Sequence, residues 1–180
     1  MIFIAILAAG RSTRFGSQKL VQSYHGKLLL QWPIDVLRKI SAEKLLVVSK
    51  TLDVSLFDLD GFKLIINEKP EYGISSSVKL AVSAAKGHEG ILLLLGDMPK
   101  ISTDLVKQVI SMDRKRIVFP SHDGIKGFPV YLPSKYFEEA MLLSGDVGLR
   151  KIIAKRTNDV ATFDGGEECI FDVDTPQDIL

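Results

Sequence analysis

The sequence predicts an α/β fold, a three-layer α/β/α sandwich around a mostly parallel sheet, and three observations predict it. Short apolar runs suited to strands alternate with longer segments of helical period, the pattern of a parallel sheet covered by helices. Ile91–Leu95 is apolar at every position, as expected of a strand buried on both faces. The 180 residues, 46% hydrophobic, are enough for one sizeable core. They read as a single domain, 1–180, made of a 1–100 half and a 101–180 half.

The strands are expected at 2–8, 44–49, 63–67, 90–95 and 116–119. Between them, Leu29–Ile40 has helical character with Pro33 near its first turn, where the missing N–H costs little. Ser75–Lys86 places Val78, Ala81, Val82 and Ala85 on one face. Ser102–Met112 begins with a capping serine and turns Leu105, Val109 and Met112 inward. Beyond residue 120 the expected elements are a strand at Gly127–Leu132, helices at Ser134–Leu143 and Asp146–Lys155, and short strands at Val160–Phe163 and Ile170–Phe171. Thr175-Pro176-Gln177-Asp178 has the form of a helix start.

Composition narrows the function classes. A net charge of +1 lacks the basic surplus of a general nucleic-acid or membrane-surface binder. Cys169 is the one cysteine, so no internal disulfide and no cysteine-based zinc cluster is available, and a reducing, cytoplasmic location is the default. The apolar start is too short for a membrane span and lacks the basic region of a signal peptide.

Four segments carry candidate chemistry. The first is Ala8-Ala9-Gly10 followed by Arg11, Ser12, Arg14, Gly16 and Lys19, a glycine-hinged turn with three cations, suited to a polyphosphate. Five residues separate Gly10 from Gly16, and Ser12 stands where a second glycine would be, so neither the P-loop nor the dinucleotide fingerprint fits. A solvated basic loop is the competing structural reading. The second is Gly96-Asp97-Met98-Pro99, directly after the Ile91–Leu95 strand. Ligands of open parallel sheets bind beyond the C-terminal strand ends, so Asp97 shares an edge with the Gly10 turn, where a carboxylate can hold a divalent cation against phosphate. The third is Asp172-Val173-Asp174, whose alternate carboxylates point to one side of an extended chain and can complete that metal site. The fourth runs from Asn67 through Gly73 to Ser75, Ser76 and Ser77, a helix start that either offers donors to a base or ribose or caps itself. His25, His88 and His122 lie outside these segments and read as surface or loop residues.

Together with Gly26–Leu29, Gly127-Phe128-Pro129-Val130 and Ser144–Arg150, these segments run in order along the chain. They resemble the molybdenum cofactor cytidylyltransferase-like group of the nucleotidyltransferase family that also contains the molybdenum cofactor guanylyltransferases. The resemblance implies a Rossmann-like, GT-A type domain, with 1–100 binding nucleotide and 101–180 binding acceptor. It implies Mg²⁺-dependent transfer of a nucleoside monophosphate from a triphosphate to a terminal phosphate, with pyrophosphate released. It assigns Lys19, Arg14 and Asp97 to catalysis. Nucleotide contacts fall on Ala8, Ala9, Gly10, Arg11, Ser12, Gly16, Asn67, Gly73, Ser75, Ser76 and Ser77. The metal falls to Asp97 with Asp174, or Asp172, and the acceptor to Phe128, Pro129, Asp146 and Arg150.

Ala9 is similar to the cytidylyl version, whereas guanylyl members more often carry glycine there, so CTP is expected ahead of GTP. Molybdopterin is the implied acceptor, and a molybdoenzyme or cofactor chaperone the implied recipient of the product. Phe128 stands where a polar residue is frequent, which leaves open another phosphorylated acceptor, such as a sugar, polyol or corrinoid precursor. Arg150 either meets the acceptor or pairs with Asp146 one helical turn earlier. A nucleotide- or cofactor-binding protein without transfer is the third reading.

Overall fold

A computed structural model describes residues 1–10, 15 and 18–179. In chain order its strands are β1 (Ile2–Ala8), β2 (Ser23–Tyr24), β3 (Lys27–Leu28), β4 (Glu43–Ser49), β5 (Phe62–Asn67), β6 (Gly90–Leu95), β7 (Ile117–His122), β8 (Ile125–Lys126), β9 (Val130–Pro133) and β10 (Val160–Asp164). The α-helices are α1 (Gln31–Arg38), α2 (Ile74–Ala84), α3 (Thr103–Ser111), α4 (Phe137–Met141) and α5 (Arg150–Lys155).

The main sheet runs β10-β7-β9-β6-β1-β4-β5, with β8 on β7 and a separate β2–β3 hairpin. β5, β4, β1 and β6 are mutually parallel, β9 is antiparallel to both neighbours, and β10 is parallel to β7. The mostly parallel sandwich expected from the alternation of elements is therefore present. Strand period divides the core: Ile4, Ile6, Leu46, Val48, Leu92 and Leu94 pack toward α1 and α3. Phe3, Ala5, Leu45, Val47, Ile91 and Leu93 pack toward α2, α4 and α5. Val78, Ala81, Val82 and Ala85 are all essentially inaccessible, as the helical spacing requires.

Chain direction creates the functional edge. From β1 the chain moves outward through β4 and β5, then α2 carries it back to β6 on the other side of β1. β1 and β6 are thus neighbours whose continuations diverge, the switch point where open α/β sheets leave a crevice. Leu7 pairs with Leu95, and Gly96 N–H donates to Leu7 O at 3.0 Å, so both strands end level. A Cβ on Gly96 would lie 3.0 Å from the Ala8 Cβ, so glycine permits this close approach.

The last third departs from its expected elements. Gly127–Leu132 becomes a strand only from Val130, because Gly127 lies against Cys169: an added Cβ would sit 2.4 Å from the Cys169 carbonyl oxygen. Ser134–Leu143 splits into a 3₁₀ turn and the short α4. Asp146–Lys155 is not one helix, since Gly148 adopts φ 51 and α5 starts only at Arg150. Asp146 and Arg150 are therefore not stacked one helical turn apart. Ile170–Phe171 forms no strand: a 3₁₀ turn at Glu167–Cys169 precedes it, and Phe171 N–H donates back to Glu167 O at 3.1 Å. The expected start at Thr175-Pro176 is a 3₁₀ turn, Pro176–Ile179. No described helix is long and apolar enough to cross a membrane.

Candidate active site

Lys19 opens a 3₁₀ turn whose next residue, Leu20, is buried in the core, and this anchor draws the lysine side chain down to the sheet edge. Its Nζ lies 2.7 Å from Asp97 Oδ2 and 3.7 Å from Asp174 Oδ1. The Lys19 side chain is only 10% exposed, so solvent screens its charge weakly. Asp97 sits directly past Gly96, at the β6 end. Its backbone carbonyl accepts the Val173 N–H at 3.0 Å, which ties the C-terminal acidic segment to the same edge. Val173, wholly buried between two acids, is the apolar peg that makes Asp172 and Asp174 turn outward together.

The result is a carboxylate cluster. Asp97, Asp172 and Asp174 each offer an oxygen, and these oxygens all lie within 4.8 Å of one another. Burial, then the nearby charges of Asp97 and Asp174, pushes the Asp172 carboxyl above its ordinary value, with Lys19 opposing. Asp97 Oδ1 is buried with no hydrogen-bond partner among the described residues. A buried, unpartnered carboxylate oxygen within an acidic trio fits a divalent cation, which satisfies that oxygen and relieves the repulsion. Asp178 holds the cluster's backbone: its carboxylate accepts from Asp174 N–H at 2.9 Å, Thr175 N–H at 2.7 Å and Thr175 Oγ1 at 3.0 Å. These bonds, the Thr175 N–H first, lower the Asp178 carboxyl. The backward reach of Asp178 is the part of the expected capping box that forms.

Lys19 and Asp97, though not Asp172 or Asp174, border a cavity of about 450 Å³, within the range of ordinary small-molecule sites. Ala8, Ala9, Gly10, Lys19, Gly73, Ser77, Asp97 and Asp146 all border it. Arg11, Ser12, Arg14 and Gly16 lie outside the described residues. Pro70 and Glu71 also line the cavity; they lie within the Asn67–Gly73 stretch, in a 3₁₀ turn between β5 and α2, though the local pattern assigns neither a role of its own.

The Asn67–Ser77 segment is committed to its own structure. Asn67, buried at the end of β5, donates from Nδ2 to Ser76 Oγ at 2.8 Å and Ser77 Oγ at 2.9 Å, and accepts the Lys69 N–H at 2.9 Å. Ser75 donates its hydroxyl to Tyr72 O, and Ser76 to Gly73 O. Ser77 reaches the 450 Å³ cavity, while Asn67, Ser75 and Ser76 border a neighbouring, more open groove. The α2 N-terminus is capped from a distance: Asp146 Oδ1 accepts the Ile74 N–H at 3.2 Å. Gly73 makes this approach possible with φ 83, and a Cβ there would fall 2.5 Å from both Asp146 Oδ1 and the Gly145 carbonyl carbon. Gly73→Ala is expected to lower stability by about 1–3 kcal/mol from backbone strain alone, and by more once the 144–148 loop is displaced. Chemical denaturation measures it.

Phe128, Asp146 and Arg150 line a third cavity, described below, beside the first; Pro129 follows Phe128 but does not line it. Of the three histidines, His88 is not a free surface residue: its ring packs 5.0 Å from that of Phe3, with Nε2 3.2 Å from Glu43.

A model of the MobA-like NTP transferase domain matches residues 4–160. The molybdenum cofactor cytidylyltransferase of Escherichia coli (strain K12) is 25% identical over 178 residues, covering 97% of this chain and 92% of that protein. The purine catabolism protein PucB of Bacillus subtilis (strain 168) is 27% identical over 188 residues, covering 96% and 91%. The crystal structure of Rv0371c from Mycobacterium tuberculosis H37Rv superimposes with a TM-score of 0.87 at 27% identity, over 98% of this chain and 94% of that one. A second structure of that protein, in complex with manganese, gives a TM-score of 0.82 at 26% identity, over 98% and 95% of the two chains. With most of its length matched by the family model, and with Asp97 of the acidic trio bordering a cavity at the sheet edge, the chain belongs to the MobA-like NTP transferase family.

Proposed function

We propose that this protein transfers a nucleoside monophosphate, CMP from CTP, to the terminal phosphate of a molybdopterin-type acceptor and releases pyrophosphate. The observation that carries the reading is the contact of Lys19 with Asp97 at the floor of a nucleotide-sized cavity, beside Asp172 and Asp174. Family membership and the cytidylyltransferase relative support the reaction class and the acceptor.

In this reading an acceptor phosphate oxygen attacks the α-phosphorus and forms the new P–O bond. The bond from that phosphorus to the α–β bridging oxygen breaks, and pyrophosphate leaves with the electron pair. A phosphate monoester is already nucleophilic near neutral pH, so no general base is required, and catalysis rests on alignment and charge. Lys19 holds its ammonium where charge grows on the α-phosphate oxygens. Arg11 and Arg14 take the β and γ phosphates, and the Gly10 turn offers backbone N–H groups to the chain of phosphates. Asp97 and Asp174, with Asp172, would hold Mg²⁺, which when bound neutralises the triphosphate and activates its α-phosphorus as a Lewis acid.

Ala9 lines the cavity, and its methyl supports a small base over a purine. Ala9→Gly is expected to raise kcat/KM for GTP relative to CTP by roughly 10-fold or more, the worth of one methyl in an apolar wall.

The test is pyrophosphate release from each of the four triphosphates, with and without molybdopterin, with Mg²⁺ added or chelated. Release with CTP that requires molybdopterin and stops on chelation is expected. Release only with another phosphorylated acceptor would replace the acceptor. Binding of nucleotide without any release would overturn the enzyme reading.

A further inference from the structure

Phe128, Asp146 and Arg150 border the third cavity, of about 210 Å³, beside the one that takes the nucleotide in the proposed reaction. Leu7, Ile74, Leu95 and Asp146 belong both to its wall and to that of the larger cavity, so the two adjoin at the β1–β6 edge. Its remaining wall is mostly apolar, with Phe119 of β7, Phe128 of the β8–β9 loop, Val130 of β9 and Ile153 of α5. Two cations, Lys126 and Arg150, border it. Lys126 Nζ hangs 5.9 Å from the Phe119 ring centroid, a weak contact that leaves its charge available. Among the described residues, neither cation pairs with a carboxylate. Asp146, the acid bordering the cavity, spends Oδ1 on the α2 N-terminus.

Apolar walls with unpaired cations at the border suit a ligand with an apolar or aromatic face and an anionic group. The volume falls below the ~300–1,000 Å³ of a whole small-molecule site, so it accepts one ring and not an extended molecule. Resting on the transferase reading, we infer that Lys126 and Arg150 hold an anionic group of the acceptor while the 210 Å³ cavity takes the apolar face of its body. Lys126 is the new element: it lies on β8, outside the motifs that carry the family resemblance, and shares the cavity border with Arg150 only through the fold. Neither residue touches the reacting atoms in this arrangement. Both select the acceptor.

Phenyl phosphate is the probe, added to the full-length protein already saturated with a non-hydrolysable CTP analogue and Mg²⁺, which blocks the nucleotide cavity. Its affinity is expected to exceed those of phenol and of inorganic phosphate by about tenfold each, the worth of one charge-assisted contact or one buried ring face. Lys126→Gln and Arg150→Gln should each lose about tenfold in phenyl phosphate affinity, with Lys126→Arg restoring most of it. Chemical-shift changes should fall on Phe119, Val130 and Ile153, and thermal melts of the variants should match the parent. Equal binding of phenyl phosphate to parent and Gln variants overturns the inference, as does phenol binding as tightly as its phosphate. A failure of the transferase reading is separate: it is seen when the CTP analogue does not bind or no acceptor yields pyrophosphate, whatever the probe does.

Discussion

Asp97→Asn is expected to abolish nucleotidyl transfer while leaving the protein folded. Asn keeps the volume and one oxygen but removes the charge, and with it one member of the trio formed by Asp97, Asp172 and Asp174. A divalent cation at a transferring phosphoryl group contributes several kcal/mol, so kcat should fall about a thousandfold. Stability should move by less than about 2 kcal/mol, because Lys19 Nζ still has Asp174 Oδ1 at 3.7 Å and Asp172 is relieved of one repelling neighbour. Mn²⁺ affinity, measured by calorimetry, should drop in parallel with kcat. A variant that still releases pyrophosphate in a metal-dependent way would remove Asp97 from the mechanism.

Lys19→Met has the second large effect, and it acts on stability as well as turnover. In the parent the nearly buried ammonium sits 2.7 Å from Asp97 and 3.7 Å from Asp174 and offsets part of the repulsion within the acidic trio. Breaking a well-buried pair costs 3–5 kcal/mol, and the partial exposure of Asp174 reduces this to about 2 kcal/mol at neutral pH. The deficit must depend on pH. Lys19 opposes the rise of the Asp172 carboxyl, so its removal lifts that carboxyl further above 3.8 in the folded state. A group raised on folding contributes its stabilisation fully below the unfolded value and loses it as pH climbs through the folded one. The deficit of Lys19→Met should therefore be widest at neutral pH and shrink as pH falls toward 3.8. Added Mn²⁺ should narrow it at neutral pH without restoring turnover, because Lys19 is also needed at the α-phosphate. Urea midpoints across pH, with and without Mn²⁺, give the result. A deficit independent of pH would mean that Lys19 serves packing and not the balance of charge.

Which parts of this were legible beforehand follows from the range of the forces involved. The strands β1, β4, β5, β6 and β7 and the helices α1 to α3 lie close to their expected positions, since period 2 against period 3.6 is written within a few residues, whereas the short β2–β3 hairpin has no counterpart among the expected strands. Ser102 caps α3 through Leu105 N–H at 3.1 Å, as local capping chemistry predicts. Ala9-Gly10 and Gly96-Asp97 could be brought together from strand order alone, because parallel neighbours end at the same edge. Asp172 and Asp174 could be placed on one side from their spacing, though not beside Lys19.

The remainder depended on contacts between distant residues. The pattern predicts one helix over Asp146–Lys155, yet Gly148 turns its first residues away and Asp146 leaves to cap α2. Asn67 and its serines present the letters of a ligand site, but Asn67 spends its donors on Ser76 and Ser77, and Ser75 and Ser76 spend theirs on the Tyr72 and Gly73 carbonyls.

By itself the sequence determined the layers, the central strands and the chemical types at the edge of the sheet, because apolar periodicity and turn residues act over a few positions. Only the tertiary structure decided which charges meet. The Lys19 contact with Asp97, the anchoring of Val173 on the Asp97 carbonyl and the approach of Lys126 to the Arg150 cavity each join segments whose separation carries no local signal. Electrostatic pairing depends on distance in space, and distance in space is set by the packing of the whole core.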